Sequence, residues 1–126
     1  MQAITTTNPA TEEAIDSYNL MSKEAAVEKL DASHDAFLEW RELSHKDRGA
    51  HLRNIAAELR DNSERFAELM TKETGKLLRD GKTEVELCAQ ILDYTADEGP
   101  KELADQERTH SGGEKRGVVA FCPIGV

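Results

Sequence analysis

Two Gly-Lys pairs, Gly75-Lys76 and Gly81-Lys82, suggest phosphate chemistry at first sight. A phosphate-binding loop needs G-x-x-x-x-G-K-[ST] after a strand, so that backbone amides wrap the phosphate oxygens. Five residues, not four, separate Gly75 from Gly81-Lys82-Thr83, and a helical pattern precedes them. Spacing and context both fail. His34, His45, His51 and His110 form no metal set, because His45 and His51 are six apart where one helical face needs three or four. Cys88 falls on the apolar side of a helical stretch and is expected to be a packed thiol. Cys122 precedes Pro123 in an apolar run. A reactive thiolate needs a base, a cation or a helix N-terminus close by, and neither cysteine has one in its local sequence. Carboxylates are abundant, but no pair among the 25 acidic residues stands apart from solvated helix faces.

Composition narrows the class. The 126 residues carry 16 basic and 25 acidic side chains, a formal charge of −9, which disfavours nonspecific binding to nucleic acid. No run approaches the ~18 apolar residues of a membrane helix, and the N-terminus lacks a signal-peptide pattern, so a cytoplasmic protein is expected. Apolar residues make up only 38% of the chain and aromatic residues 5%. The helices are therefore expected to be one-sided, with apolar faces that need a partner.

The pattern predicts a mostly α fold with a small β component. Residues 4–18 read as a hairpin turning at Asn8-Pro9. A first helix starts at the N-cap Ser22, with Ala26, Leu30, Ser33, Phe37 and Trp40 on one face as core. Ser44-x-x-Asp47 has the capping-box form and opens a second helix with Leu52, Ile55, Ala56 and Leu59 inward. Asp61-Asn62-Ser63 breaks and re-caps the chain. A third helix carries Phe66, Leu69 and Met70 and ends at Thr74-Gly75. A fourth spans Asp80 to Glu98 with Val85, Cys88, Ile91, Leu92 and Thr95 inward, stopped by Gly99-Pro100. Strands are expected over 106–110 and 114–121 around a turn at Ser111-Gly112-Gly113. Pro123 breaks that ladder, and Ile124-Gly125-Val126 reads as the start of another strand, cut short. An apolar ending of this kind predicts that the chain is the front part of something longer.

Several short motifs, in order, resemble the N-terminal quarter of the NAD(P)-dependent aldehyde dehydrogenase family. They are Thr7-Asn8-Pro9-Ala10-Thr11-Glu12, then Ala36-Phe37-Leu38-Glu39-Trp40 with Arg48, then Glu73-Thr74-Gly75-Lys76 with Glu84-Val85. Gly117-Val118-Val119 and Pro123-Ile124-Gly125-Val126 resemble the family's approach to its nucleotide-binding strand. Tyr94-Thr95-Ala96-Asp97-Glu98-Gly99-Pro100 is similar to the succinate-semialdehyde dehydrogenase branch, with Thr95 where that branch usually has a second aromatic residue.

The resemblance implies the N-terminal helical part of an α/β aldehyde dehydrogenase fold, truncated at the start of the nucleotide-binding sheet. Residues 1–105 would be the hairpin and helical part of the cofactor-binding domain. Residues 106–122 would resemble part of an oligomerisation arm, and 123–126 the start of a nucleotide-binding strand. It also implies oxidation of an aldehyde, succinate semialdehyde first, to a carboxylate with NAD or NADP, by a cysteine thiolate, hydride transfer and a glutamate-activated water. All those groups would follow residue 126, so no catalytic or cofactor-binding residue is assigned and no cofactor is expected on this segment alone. Thr83 and Leu87 match positions that border the family's substrate channel. Homo-oligomers are expected, with no nucleic-acid or membrane partner. The rival expectation is a non-enzymatic helical protein-interaction module.

Overall fold

The computed structural model describes residues 3–109 and 117–125. Two strands, β1 (Ala3–Thr7) and β2 (Ala14–Asn19), form the first hairpin, antiparallel with Ile4 opposite Tyr18. Its turn is built by Asn8, whose side-chain carbonyl accepts from the Ala10 amide at 2.9 Å, in the local bonding that suits Asn to turns. Four helices follow: α1 (Lys23–Trp40), α2 (His45–Asp61), α3 (Ser63–Thr74) and α4 (Leu78–Glu102). A short antiparallel pair, β3 (Gln106–Arg108) with β4 (Gly117–Val119), comes last. The expected turn at Ser111–Gly113 lies outside the described residues, as do His110 and Val126. Residues 120–125 carry no strand.

The caps are those that the side chains dictate. Ser22 Oγ accepts from the Ala25 amide at 3.1 Å and starts α1. Ser44 Oγ accepts from the Asp47 amide at 3.1 Å and starts α2. The Asp47 carboxylate takes the Ser44 hydroxyl at 2.6 Å instead of reaching back to a backbone amide, a variant of the expected box. Gly75 ends α3 in the left-handed region at φ 73°, its amide donating to Thr71 O at 3.0 Å. Asn62 departs from expectation. Its side chain donates backward to Glu58 O at 2.9 Å and does not cap α3.

The core is the contact of α2 and α3 with α4, and small residues make it. Ala56, Ala67, Val85, Ala89 and Ala96 are the buried apolar side chains among the described residues. Gly49 and Gly81 are buried with them. A Cβ added at Gly49 would lie 3.1 Å from Ala96 O, and one at Gly81 3.2 Å from the Ala67 Cα and Cβ. The backbones therefore approach closely, and there is no room for large side chains in the seam.

Four expectations are corrected. Helix α4 does not stop at Gly99-Pro100; it continues to Glu102 with Pro100 inside it. Proline removes only the amide that would bond Ala96 O, and hydrogen bonding resumes with the Leu103 amide donating to Gly99 O at 3.0 Å. The freed Ala96 carbonyl is the atom that approaches Gly49 most closely. Helix α1 has no buried residue. Leu30 is 68% exposed and Trp40 41%, and only Phe37 of the large residues in its stripe is half-buried. An amphipathic stripe is buried only when another element faces it. Cys88 is exposed, not packed, because the inward line of α4 runs through Gly81, Val85, Ala89 and Ala96. Ile55, Leu69, Ile91 and Thr95 are likewise exposed, whereas Leu52, Leu59 and Leu92 are half-buried.

Candidate functional site

Helix α4 has three faces with different work. The inward face is the small-residue seam. A second strip, Glu86, Gln90, Asp93 and Asp97, recurs at steps of four, three and four and faces the arginines of α2. Arg60 Nε and Nη2 donate to the two Glu86 oxygens at 3.1 and 3.2 Å, and Arg60 Nη1 lies 2.8 Å from Asp93 Oδ2. Arg53 Nη1 donates to Asp97 at 2.7 Å. Planar two-bond pairing fixes the guanidinium as well as attracting it. The hydrogen bonds from Arg60, then Gln90, hold the Glu86 carboxyl below its ordinary value, and burial opposes them weakly. The bonds to Glu86, then Asp93, raise Arg60 in turn.

The third face carries Thr83 and Leu87, four residues apart as the spacing required. Together with Lys82, Glu86 and Gln90 they line one shallow depression. Leu87 is 53% exposed. The Thr83 hydroxyl donates to Arg79 O at 3.1 Å, so its hydrogen is used within its own helix. Lys82 Nζ reaches across to Glu64 of α3 at 2.8 Å. The depression therefore offers a methyl, a leucine and the Gln90 amide, bordered by charges that already have partners.

A separate groove surrounds Trp40, where the end of α1, the start of α2 and the end of α4 converge. Arg48, His45, Leu52 and Leu103 line it, with Phe121 and Pro123 of the last described segment. The Trp40 and His51 rings lie 5.2 Å apart, and His34 lies against Phe37.

No nucleophile is assembled in what is described. Cys88 sits beside Leu59, Phe66 and Met70, and Cys122 lies in the Trp40 groove. Both are exposed free thiols. No group of three His, Cys, Asp or Glu residues that could hold a metal occurs among the described residues. Nor do the Gly-Lys pairs fit a dinucleotide phosphate. Gly75 is spent as a helix C-cap, and Gly81 is pressed against Ala67 inside α4. Lys76 and Lys82 are paired with Glu84 and Glu64. The residues present therefore do not hold a nicotinamide cofactor by themselves. The ladder between α2 and α4 went unread in the sequence. The seven-residue step from Arg53 to Arg60, opposite the acidic steps of α4, was the available signal.

The profile of the aldehyde dehydrogenase family matches residues 1–126. The chain is 34% identical over 125 residues to a succinate-semialdehyde dehydrogenase of Escherichia coli strain K12 named for NADP(+), covering 99% of this chain and 26% of that protein. A glutarate-semialdehyde dehydrogenase of Pseudomonas putida is also 34% identical, with the same coverage. The crystal structure of succinic semialdehyde dehydrogenase from Streptococcus pyogenes in complex with NADP+ superposes with a TM-score of 0.82 at 31% identity, over 90% of this chain and 25% of that one. This chain thus spans about a quarter of the length of the curated relatives it matches.

Proposed function

This chain belongs to the aldehyde dehydrogenase family, and we propose that it forms the N-terminal helical part of an enzyme oxidising a semialdehyde to its carboxylate with NADP(+) or NAD(+). The observation that carries the reading is the match of the whole chain to the first quarter of semialdehyde dehydrogenases, in sequence and in fold. In that reading the segment supplies no catalytic group, and the nucleophile and cofactor site belong to the rest of the parent. Thr83 and Leu87 border the substrate channel from the outward face of α4, and succinate semialdehyde is the first substrate to test. The β3–β4 pair serves as part of an arm between subunits of a cytoplasmic homo-oligomer.

The exposed face of α1 also suits a non-enzymatic interaction module. An apolar helical layer that covers a sheet elsewhere in the parent accounts for the same exposure. One experiment separates the two. The matching N-terminal segment of the E. coli succinate-semialdehyde dehydrogenase is replaced by this chain, and nucleotide reduction is followed at fixed succinate semialdehyde. The graft is expected to fold and turn over, while the 126-residue chain alone reduces no nucleotide. A folded but inactive graft, or turnover by the chain alone, overturns the reading.

A further inference from the structure

Arg48 is the one half-buried cation whose guanidinium has no ion-pair or hydrogen-bond partner among the described residues. The other part-buried cations, Lys76 and Lys82, each hold a carboxylate. A guanidinium partly withdrawn from water and left unpaired is a costly arrangement, relieved by any anion that reaches it. Three depressions meet at Trp40. One runs along Gly49, Leu52 and Ala96, one along Phe121 and Cys122, and one along Ser33, Phe37 and Gly125. Arg48 lines the first two. The nearest acidic group in sequence, Asp47, is tied to Ser44 at the helix cap. The chain as a whole carries a charge of −9, so an unpaired cation in an apolar groove is the exception on this surface.

We propose that the Trp40 groove is a binding site for a peptide segment carrying one carboxylate between apolar residues, with Arg48 receiving the carboxylate. The branched, elongated shape favours a chain with several side chains over a compact small molecule, and the charge favours an acid over an amide. Arginine is suited to this because its planar fork can take both carboxylate oxygens. The site goes beyond the dehydrogenase reading and does not depend on it.

Trp40 is the only tryptophan, so its emission reports on the groove directly. The purified 126-residue chain is titrated with the capped tetrapeptide acetyl-Leu-Glu-Leu-Leu-amide and with its Gln counterpart. The acidic peptide is expected to shift Trp40 emission saturably, with the Gln peptide about five-fold weaker, the upper range for a partly exposed ion pair. Arg48→Gln is expected to erase the preference for Glu, and Arg48→Lys to keep part of it. No saturable shift, or equal affinity for the two peptides on the unsubstituted chain, overturns the proposal without recourse to any variant. An Arg48→Gln chain that is folded by circular dichroism and still prefers Glu overturns it as well.

Discussion

At the scale of single residues, the seam of α4 leaves least latitude at Gly49. A methyl there meets a carbonyl oxygen of the opposing helix, and backbone cannot move aside as a flexible side chain can. Gly49→Ala is expected to destabilise the chain by about 1–3 kcal/mol, the range for overpacking, although alanine is the better helix former. Urea unfolding followed by circular dichroism measures this, and an unchanged or raised midpoint refutes the close approach. The Arg60 cluster makes a different prediction. Because Glu86 is held below its ordinary carboxylate value of 4.5 when folded, its contribution is complete above that value and is lost as pH falls through the lowered one. Arg60→Gln is expected to reduce the extra loss of stability below about pH 4.5, with a smaller effect near neutrality than Gly49→Ala. Comparison of urea midpoints at pH 7 and pH 3.5 tests it. The small seam residues were legible in the sequence only as ordinary members of a helix. Their importance comes from an approach between helices distant in the chain, which no local pattern encodes.

At the scale of elements, boundaries set by side-chain chemistry were readable and those set by packing were not. Ser22, Ser44 and Gly75 begin or end their helices as their types predict, because each satisfies end groups that the helix itself leaves open. Ser44→Ala is expected to cost about 1 kcal/mol, since it removes both the bond from the Asp47 amide and the hydroxyl that holds the Asp47 carboxylate. Thermal unfolding would show it, and no change in midpoint would mean that α2 is held by its seam alone. Gly99-Pro100 misleads for a physical reason. A proline costs a helix one hydrogen bond and a clash, and tertiary contacts at the end of α4 can offset that cost when the freed carbonyl already lies against another helix. The strip that pairs with Arg53 and Arg60 was visible as spacing, but opposite charges on two helices become a ladder only after the helices are laid side by side.

At the scale of the whole molecule, α1 and the outward side of α4 set the behaviour. Leu30 on α1 and Leu87, Ile91 and Tyr94 on α4 are each more than half exposed, a large apolar surface for a chain this size. The isolated chain is expected to self-associate with rising concentration, and Leu30→Lys is expected to reduce that association. Light scattering across a dilution series decides it, with a constant monomer mass counting against an unpartnered face. From the sequence alone came the helix count, the caps, the two hairpins, the acidic surface and the family resemblance. All of these depend on neighbouring residues or on motifs in linear order. Only the tertiary structure decided that the core is a narrow seam of alanines and glycines, that α1 packs on almost nothing, that Cys88 faces outward and that α4 runs through its proline. Each depends on which face of a helix finds a partner, and an amphipathic sequence states that a face wants burial without stating what will cover it.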